Sequence, residues 1–171
     1  ELIDRTKGYP EDSRFVWNVE SLWAVENFLG IASEADKQRF IAAVKAGSIA
    51  LSANYANILT GLCTPEEMHW IVEYADSLRK WYGLPITMAM QTDVPGMSWG
   101  IVQAAAQNGV RAILDFPNPS DRTGLVHAWR NRPVRWVAPD GKAKVLYLQL
   151  FPYNVAWKLG AYRMSPRPFD D

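Results

Sequence analysis

The stretch that decides the fold reads Met88-Ala-Met-Gln-Thr-Asp93-Val-Pro-Gly96-Met-Ser98-Trp-Gly100. The apolar segment from Pro85 to Met90 is typical of a buried strand and leads into a carboxylate. A Pro-Gly turn and an apolar helix from about Ser98 follow. In a β/α protein this order places Asp93 at the carboxyl end of a strand, where such folds assemble their active sites. Asp93 could equally cap the helix that follows.

The composition limits the class of protein. The chain has 171 residues, with 18 basic and 18 acidic side chains and 49% hydrophobic residues. We therefore expect one well-buried domain spanning residues 1–171. The neutral balance argues against a nucleic-acid partner, and no apolar run is long enough to cross a membrane. The first residue is Glu1, so we expect a processed product or a piece of a longer protein.

Strand and helix patterns alternate along the chain. Strands are predicted at Arg14–Trp17, Ile49–Ser52, Pro85–Met90 and Val110–Leu114, and helices at Ser21–Leu29, Ser33–Gly47, Thr64–Gly83 and Ser98–Asn108. A hairpin is predicted from Arg135–Ala138 and Lys144–Leu150. Four parallel strands are too few to close an eight-stranded barrel. The pattern predicts an α/β fold, either an open sheet or part of a larger barrel.

The strongest local signal is the start of the third predicted helix. Thr64 is the predicted N-cap, Pro65 occupies the first helical position, and Glu67 completes a capping box. His69 lies in this helix and is expected to pack. Cys63, the single cysteine, has no neighbouring histidine to pair with and is expected to be an ordinary thiol.

Polar side chains recur where the predicted strands end. They are Glu20 after the first strand, Asn54 and Asn57 after the second, Asp93 after the third, and Asp115 and Asn118 after the fourth. Parallel strands would bring them to one edge, called the rim below. Four aromatic residues are expected to frame it, namely Trp17, Trp23, Tyr55 and Trp99. This set suits a polyhydroxylated ligand, although loops are polar in any protein.

Asp93 and Glu20 are the candidate catalytic carboxylates. Glycoside hydrolysis commonly needs two carboxylates, about 5 Å apart for retention and about 6.5–9.5 Å apart for inversion. Glu20 could instead be a charge favoured by the dipole at a helix N-terminus. His127, in the predicted loop from Asn118 to Arg132, is a weaker candidate for metal or substrate binding.

Three stretches together resemble the N-terminal catalytic domain of glycoside hydrolase family 38, the α-mannosidase-type enzymes. They are Arg14-Phe-Val-Trp17 through Glu20, Phe40 through Leu51 and on to Gly61, and Met90-Gln-Thr-Asp93-Val-Pro-Gly-Met-Ser98 followed by Gly109-Val110. The resemblance covers about residues 14–150. It implies a partial (β/α) barrel of the seven-stranded glycoside hydrolase and deacetylase type, with about four parallel strands and a C-terminal hairpin.

The resemblance also implies a chemistry. Asp93 matches an aspartate that ligates a zinc ion and attacks the anomeric carbon, so that the glycosidic bond is hydrolysed with retention. Trp17, Asn54, Asn57 and Trp99 are the expected substrate-binding residues, with Glu20 as a second catalytic candidate. A carbohydrate substrate and the rest of a larger hydrolase chain are the expected partners.

The chain departs from the family pattern in the zinc ligands. No His-x-Asp pair precedes Arg14, and the family's second zinc histidine and general acid lie further along than this chain clearly reaches. A catalytic zinc site needs about three protein ligands, so residues 1–171 alone are expected to be inactive. The alternative is a non-catalytic carbohydrate-binding or scaffolding relative. A metal-dependent deacetylase is discarded, because the only Asp-Asp pair is Asp170-Asp171 and no His-x-x-x-His is present.

Overall fold

The protein is described by a computed structural model that covers residues 1–117 and 132–150. The described helices are α1 (Leu2–Thr6), α2 (Leu22–Ile31), α3 (Glu34–Lys45), α4 (Pro65–Tyr82) and α5 (Ile101–Gln107). The strands are β1 (Trp17–Val19), β2 (Ile49–Leu51), β3 (Met88–Thr92), β4 (Ala112–Phe116), β5 (Val134–Val137) and β6 (Lys144–Gln149). Strands and helices alternate through β4, as an α/β fold requires.

The strands form two hydrogen-bonded sheets. β1 pairs in parallel with β2, and a four-stranded sheet has the order β3-β4-β6-β5. β3, β4 and β6 are parallel, whereas β5 is antiparallel to β6 and lies at the edge. Within residues 1–117 and 132–150 the strands do not close into a barrel. The α/β class is therefore confirmed, and the barrel stays a prediction.

Ser52 joins the two sheets just beyond the end of β2. Its hydroxyl accepts a hydrogen bond from the Met90 amide at 2.9 Å and donates to the Met90 carbonyl at 3.3 Å. The Ala53 amide donates to the Met88 carbonyl at 2.8 Å. These contacts place β2 beside β3, so the carboxyl ends of β1, β2, β3 and β4 face one edge of the molecule.

α4 forms as its sequence predicts. The Thr64 hydroxyl accepts from the Glu67 amide at 3.2 Å, and the Glu67 carboxylate accepts from the Thr64 amide at 2.7 Å, which completes the capping box. The helix ends at Gly83, whose φ of 65° suits glycine. Its buried stripe comprises Met68, Ile71, Val72, Ala75 and Leu78. Of the described helices, none is long and apolar enough to cross a membrane.

β1 begins three residues later and ends two residues later than predicted. Phe15 and Val16 were expected inside the strand, but their side chains are 38% and 51% exposed, and β1 begins only at Trp17. The Phe15 amide donates instead to the Thr6 hydroxyl at 2.9 Å. Strand propensity alone misplaced the element, because pairing with Ile49–Leu51 decides where β1 lies.

The C-terminal hairpin formed as predicted but has a further role in the sheet. β5 and β6 pair as an antiparallel hairpin, with Val137 opposite Lys144. β6 also pairs in parallel with β4, with Ala112 opposite Leu146. The sequence prediction treated the hairpin as an addition to four parallel strands, whereas β6 extends the parallel sheet.

Arg79 connects α4 to the main chain before β3 and after α5. Its guanidinium donates to the Ile86 carbonyl at 2.5 Å and to the Asn108 carbonyl, and pairs with Asp76 at 3.4 Å. The side chain is only 20% exposed. One cation therefore satisfies main-chain carbonyls both before β3 and after α5.

Replacing Arg79 with Met should lower the free energy of unfolding by about 2 kcal/mol, because two carbonyls lose a charged donor. Urea denaturation measures the change. The matched control is Lys80→Met, which removes the other cation paired with Asp76. The Lys80 side chain is 74% exposed, so its loss should change the free energy of unfolding by less than about 0.5 kcal/mol. Equal losses in both variants would contradict the anchoring role of Arg79.

Candidate functional site

Asp93 occupies an unusual backbone conformation immediately after β3. Its φ is 62°, and it is the one non-glycine residue with positive φ in the described parts of the chain. Aspartate tolerates this left-handed region better than most residues. The Asp93 amide donates to the Phe116 carbonyl at 2.9 Å, which fixes the residue against the end of β4. Its side chain is exposed at the rim.

The alternative that Asp93 only caps the following helix was wrong. α5 begins at Ile101 with Gly100 at the N-cap position, eight residues beyond Asp93 along the chain. The intervening turn is held by other contacts. The Gln91 side-chain amide donates to the Gly96 carbonyl at 3.1 Å, and Gly96 has a φ of 113°, which favours glycine.

The loop after β3 is also bound to the loop after β2. The Ser98 amide donates to the Thr60 hydroxyl at 2.7 Å, and the Ser98 hydroxyl donates to the Thr60 carbonyl at 3.1 Å. Ser98 was expected to begin the helix, but its side chain binds the neighbouring loop. The loops after β2 and β3 are therefore bound to each other on the C-terminal side of Asp93.

Glu20 and Asn57 meet beside Asp93. The Asn57 side-chain amide donates to Glu20 Oε1 at 2.8 Å and to the Thr92 carbonyl at 3.2 Å. Glu20 precedes the N-cap Ser21 of α2, so it lies outside the helix. The structure thus brings Glu20 and Asn57 to the residue that immediately precedes Asp93, and it gives Glu20 a definite partner at the rim.

Asn54 lies deeper than expected. Its side chain is 1% exposed, and its amide nitrogen donates to the Met90 carbonyl at 3.0 Å. Its side-chain oxygen is buried without a partner in the described structure. The Asn54 carbonyl accepts from the Leu22 amide at 2.9 Å, which satisfies a donor at the start of α2. Asn54 therefore supports the rim from beneath.

Three of the expected aromatic residues lie apart from this group or turn away from it. Trp17 is the first residue of β1 and lies at the amino end of that strand, whereas the rim is at the carboxyl end. The Trp99 indole donates to the Val137 carbonyl at 2.5 Å, which directs the ring to β5. Tyr55 turns towards α2, where its hydroxyl donates to Glu26 at 2.5 Å.

Asp115 was expected on the rim but is fully buried inside β4. The Tyr147 hydroxyl donates to Asp115 Oδ2 at 2.5 Å. Gln91, Asp115 and Gln149 are partners in register across β3, β4 and β6, so their side chains lie in one row. Asp115 Oδ1 and Gln149 Oε1 are buried without a partner in the described structure.

Burial is the main cause of a raised pKa at Asp115. It lifts the pKa of the carboxyl to about 6, and the hydrogen bond from Tyr147 lowers the pKa in part. Burial, together with the neighbouring Asp115, also raises the pKa of the Tyr147 hydroxyl. The alternation of Ile113 with Asp115 and of Val145 with Tyr147 was the sequence signal for this cluster, because period two places each pair on one face of a strand.

The remaining candidates have simpler outcomes. His69 packs as predicted, with Nδ1 3.1 Å from the Asn108 side-chain amide. The Cys63 thiol donates to the Leu59 carbonyl at 3.6 Å. His127 and Asn118 lie outside the described residues, so their roles stay predictions.

The described residues do not fit a zinc ion by themselves. Among residues 1–117 and 132–150, no group of three His, Cys, Asp or Glu side chains is close enough to hold a metal. A catalytic zinc site needs about three protein ligands. Asp93 could supply one, so the other donors would have to come from outside the described residues.

Comparison with known proteins shows what the fold is similar to. No protein-family model and no curated protein matches the sequence. The chain is similar to a glycosyl hydrolase family 38 protein from Enterococcus faecalis (TM-score 0.61, 14% identity, 99% of this chain and 19% of that chain). It is also similar to an α-mannosidase from Enterococcus faecalis V583 (TM-score 0.62, 17% identity, 87% of this chain and 16% of that chain). A third similar structure is a 4-α-glucanotransferase from Thermococcus litoralis (TM-score 0.61, 13% identity, 89% of this chain and 24% of that chain).

The resemblance to glycoside hydrolase family 38 inferred from three sequence stretches is thus confirmed as a likeness of fold. At 13–17% identity the comparison supports the fold and nothing finer. The glucanotransferase shares the fold to the same degree, so the fold does not select one reaction. The chain spans less than a quarter of the length of each of these structures.

The raised pKa of Asp115 predicts a pH dependence of stability. An unfolded aspartate titrates near pH 3.9, whereas the folded group titrates at about 6. The folded state therefore binds the proton more tightly, and the stabilisation is fully present below about pH 4 and lost as pH rises through about 6. The free energy of unfolding should fall by about 3 kcal/mol across this window from this group.

Urea denaturation between pH 4 and pH 7 measures the effect. Asp115→Asn should remove the fall, since it cannot ionise. Tyr147→Phe should move the fall to higher pH, because it deletes the hydrogen bond that lowers the pKa of Asp115. An unchanged pH profile in Asp115→Asn would show that Asp115 does not titrate in this range.

Proposed function

We propose that this chain is one carbohydrate-active domain that carries part of a glycoside-cleaving rim within a longer hydrolase. The observation that carries the proposal is Asp93, an exposed carboxylate held in the left-handed region at the carboxyl end of β3. Residues held in such conformations concentrate at functional sites. The likeness of fold to two glycoside hydrolase structures supports the substrate class.

Asp93 is the proposed nucleophile. Its carboxylate would attack the anomeric carbon of an α-mannoside-like sugar as the glycosidic oxygen leaves and takes up a proton from an acid. Water would then cleave the glycosyl ester and release the sugar with retained configuration. The hydrogen bonds from the Asp93 amide to Phe116 and from Gln91 to Gly96 hold the loop, which limits the movement needed during attack.

Glu20 is the proposed second carboxylate. Asn57 bridges it to the Thr92 carbonyl, so Glu20 is held next to the residue that precedes Asp93. A held carboxylate at this position can accept hydrogen bonds from sugar hydroxyls or exchange a proton with the substrate. Asn57 is exposed, and its amide can also face a sugar.

A metal belongs to the proposal only for the longer protein. Asp93 could be one zinc ligand there, with its partners supplied from outside the described residues. Such a metal would supply Lewis-acid chemistry at the rim, with Asp93 as one of the residues that would hold it.

The alternative is a carbohydrate-binding domain without catalysis. Its support is the arrangement of amides at the rim: the exposed Asn57 side chain binds both Glu20 and Thr92, and the buried Asn54 side chain binds the Met90 carbonyl beneath them. These contacts build a preformed polar surface, which serves binding as well as reaction. Both hypotheses require sugar recognition at the rim, and they differ in whether Asp93 becomes covalently modified.

Titration with α-linked mannobiose, followed by tryptophan fluorescence, tests sugar recognition. Asp93→Asn should weaken binding about tenfold or more, which corresponds to about 1.4 kcal/mol and is typical of a hydrogen bond to a charged group. Asp12→Asn is the matched control, because Asp12 is an exposed aspartate in the 3-10 turn Glu11–Ser13, away from the rim. Absence of binding by the unmodified chain would contradict both hypotheses.

Covalent trapping separates the two hypotheses. In the longer protein, where the site would be complete, an activated, slowly hydrolysed mannosyl fluoride should add one glycosyl group at Asp93, seen by peptide mass spectrometry, and Asp93→Asn should show none. Sugar binding without a covalent adduct supports the non-catalytic alternative.

Zinc calorimetry tests the incomplete metal site. Because the described residues offer fewer than three clustered ligands, the chain of 171 residues should show no tight one-to-one zinc binding. Asp93→Ala should give the same titration curve. Tight stoichiometric binding that disappears in Asp93→Ala would contradict this expectation and show that the chain completes its own site.

A further inference from the structure

A second concave site lies at the opposite end of the strands from the rim. It is a groove of about 460 Å³ lined by Ala106, Gly109, Val110, Arg111, Arg135, Lys144, Val145 and Leu146. These residues come from the end of α5, the turn before β4, and the hairpin of β5 and β6. Arg111 precedes β4 and Lys144 begins β6, so the groove is at the amino ends of the parallel strands. It is called the basic groove below.

Three positive charges converge on this groove. Arg111, Arg135 and Lys144 are all exposed, and no carboxylate of the described residues lines the groove. None of the three forms an ion pair with any residue that the structure describes. The chain as a whole has equal numbers of acidic and basic residues, so this local excess of positive charge is not a consequence of composition.

The strand register explains why the charges meet. Arg135 is opposite Leu146 and Lys144 is opposite Val137 in the antiparallel pair, so both cations project from one face of the hairpin. Like charges that line one groove repel one another. An anion between them would replace repulsion with attraction, and each arginine could offer two parallel N–H donors to an oxyanion.

The carbonyl groups at the end of α5 that could repel an anion are already hydrogen-bonded. The last carbonyls of a helix carry partial negative charge, but here they are already hydrogen-bonded. The Ala105 carbonyl accepts from the Val110 amide at 2.9 Å, and the Ala106 carbonyl accepts from the Gly109 amide at 3.2 Å. The Asn108 carbonyl accepts from Arg79. The cations therefore dominate the field in the groove.

We propose that the basic groove binds a tetrahedral oxyanion, a sulfate or phosphate group, independently of the rim. Flat carboxylates and chloride can satisfy fewer of the donors that three convergent cations present, whereas a tetrahedral oxyanion offers oxygens in several directions. The oxyanion is either a free ion or an ester carried on a sugar. The inference does not depend on the reaction proposed for Asp93.

Titration of the full chain with sodium sulfate and with sodium phosphate tests the proposal. Ionic strength is held constant with sodium chloride, because screening alone changes exposed charges. Amide chemical shifts of Gly109, Val110 and Arg111 should change saturably. The combined variant Arg111→Gln, Arg135→Gln and Lys144→Gln should bind at least about tenfold more weakly, since it removes every charged donor of the groove.

A matched control removes the same amount of charge elsewhere. Arg5→Gln, Lys7→Gln and Lys45→Gln replace three exposed cations outside the groove and should leave the affinity unchanged. If the groove variant does not fold, the single changes Arg135→Gln and Lys144→Gln carry the test, each with a loss of about threefold or more. Equal weakening in the control and groove variants would overturn the proposal, as would non-saturable shifts in the unmodified chain.

The source of the oxyanion is distinguished by two sugar esters, glucose 6-phosphate and N-acetylglucosamine 6-sulfate. Tighter binding of an ester than of its inorganic ion identifies a sugar-borne group, and equal or weaker binding identifies a site for the free ion. Both outcomes support the oxyanion site. Failure of all four ligands to bind overturns it.

Discussion

The arrangement of the molecule depends on the short junction between β2 and β3. No regular ladder connects these strands, and the Ser52 hydroxyl, which both accepts from and donates to the main chain of Met90, takes its place together with the Ala53 amide. The Asn54 side-chain amide adds a further bond to the Met90 carbonyl. These contacts help to fix the pair β1–β2 against the four-stranded sheet, and they help to place Glu20 and Asn57 beside Thr92.

Sequence patterns predicted the elements whose stability is local. α4 follows from Thr64, Pro65 and Glu67, because a capping box and an apolar stripe need no distant partner. β1 was misplaced because its position depends on β2, and the apolar residues Phe15 and Val16 precede the paired segment. The parallel pairing of β6 with β4 is also nonlocal, so a hairpin signal at its turn could not reveal it.

The candidate site shows the same division. Asp93 was located correctly from the strand that precedes it, whereas its contact with Phe116 is a tertiary hydrogen bond that no local pattern contains. Trp99 was expected at the rim because of its place in the chain, yet its indole binds the edge strand β5. Sequence position places a backbone at an edge. It does not decide which way a long side chain turns once several neighbours compete for it.

Asp93, just after β3, and Asp115, inside β4, lie in opposite environments, and the backbone conformation of Asp93 contributes to the difference. Gln91 faces the interior, so a regular strand would place residue 93 on that same inward face, beside the row that contains Asp115. Two acidic groups there would repel each other and lose solvation. The left-handed φ of Asp93 ends the strand and turns the residue outward. This conformation is unfavourable for a non-glycine residue, but it leaves the Asp93 carboxylate exposed at the rim while Asp115 stays buried against Tyr147.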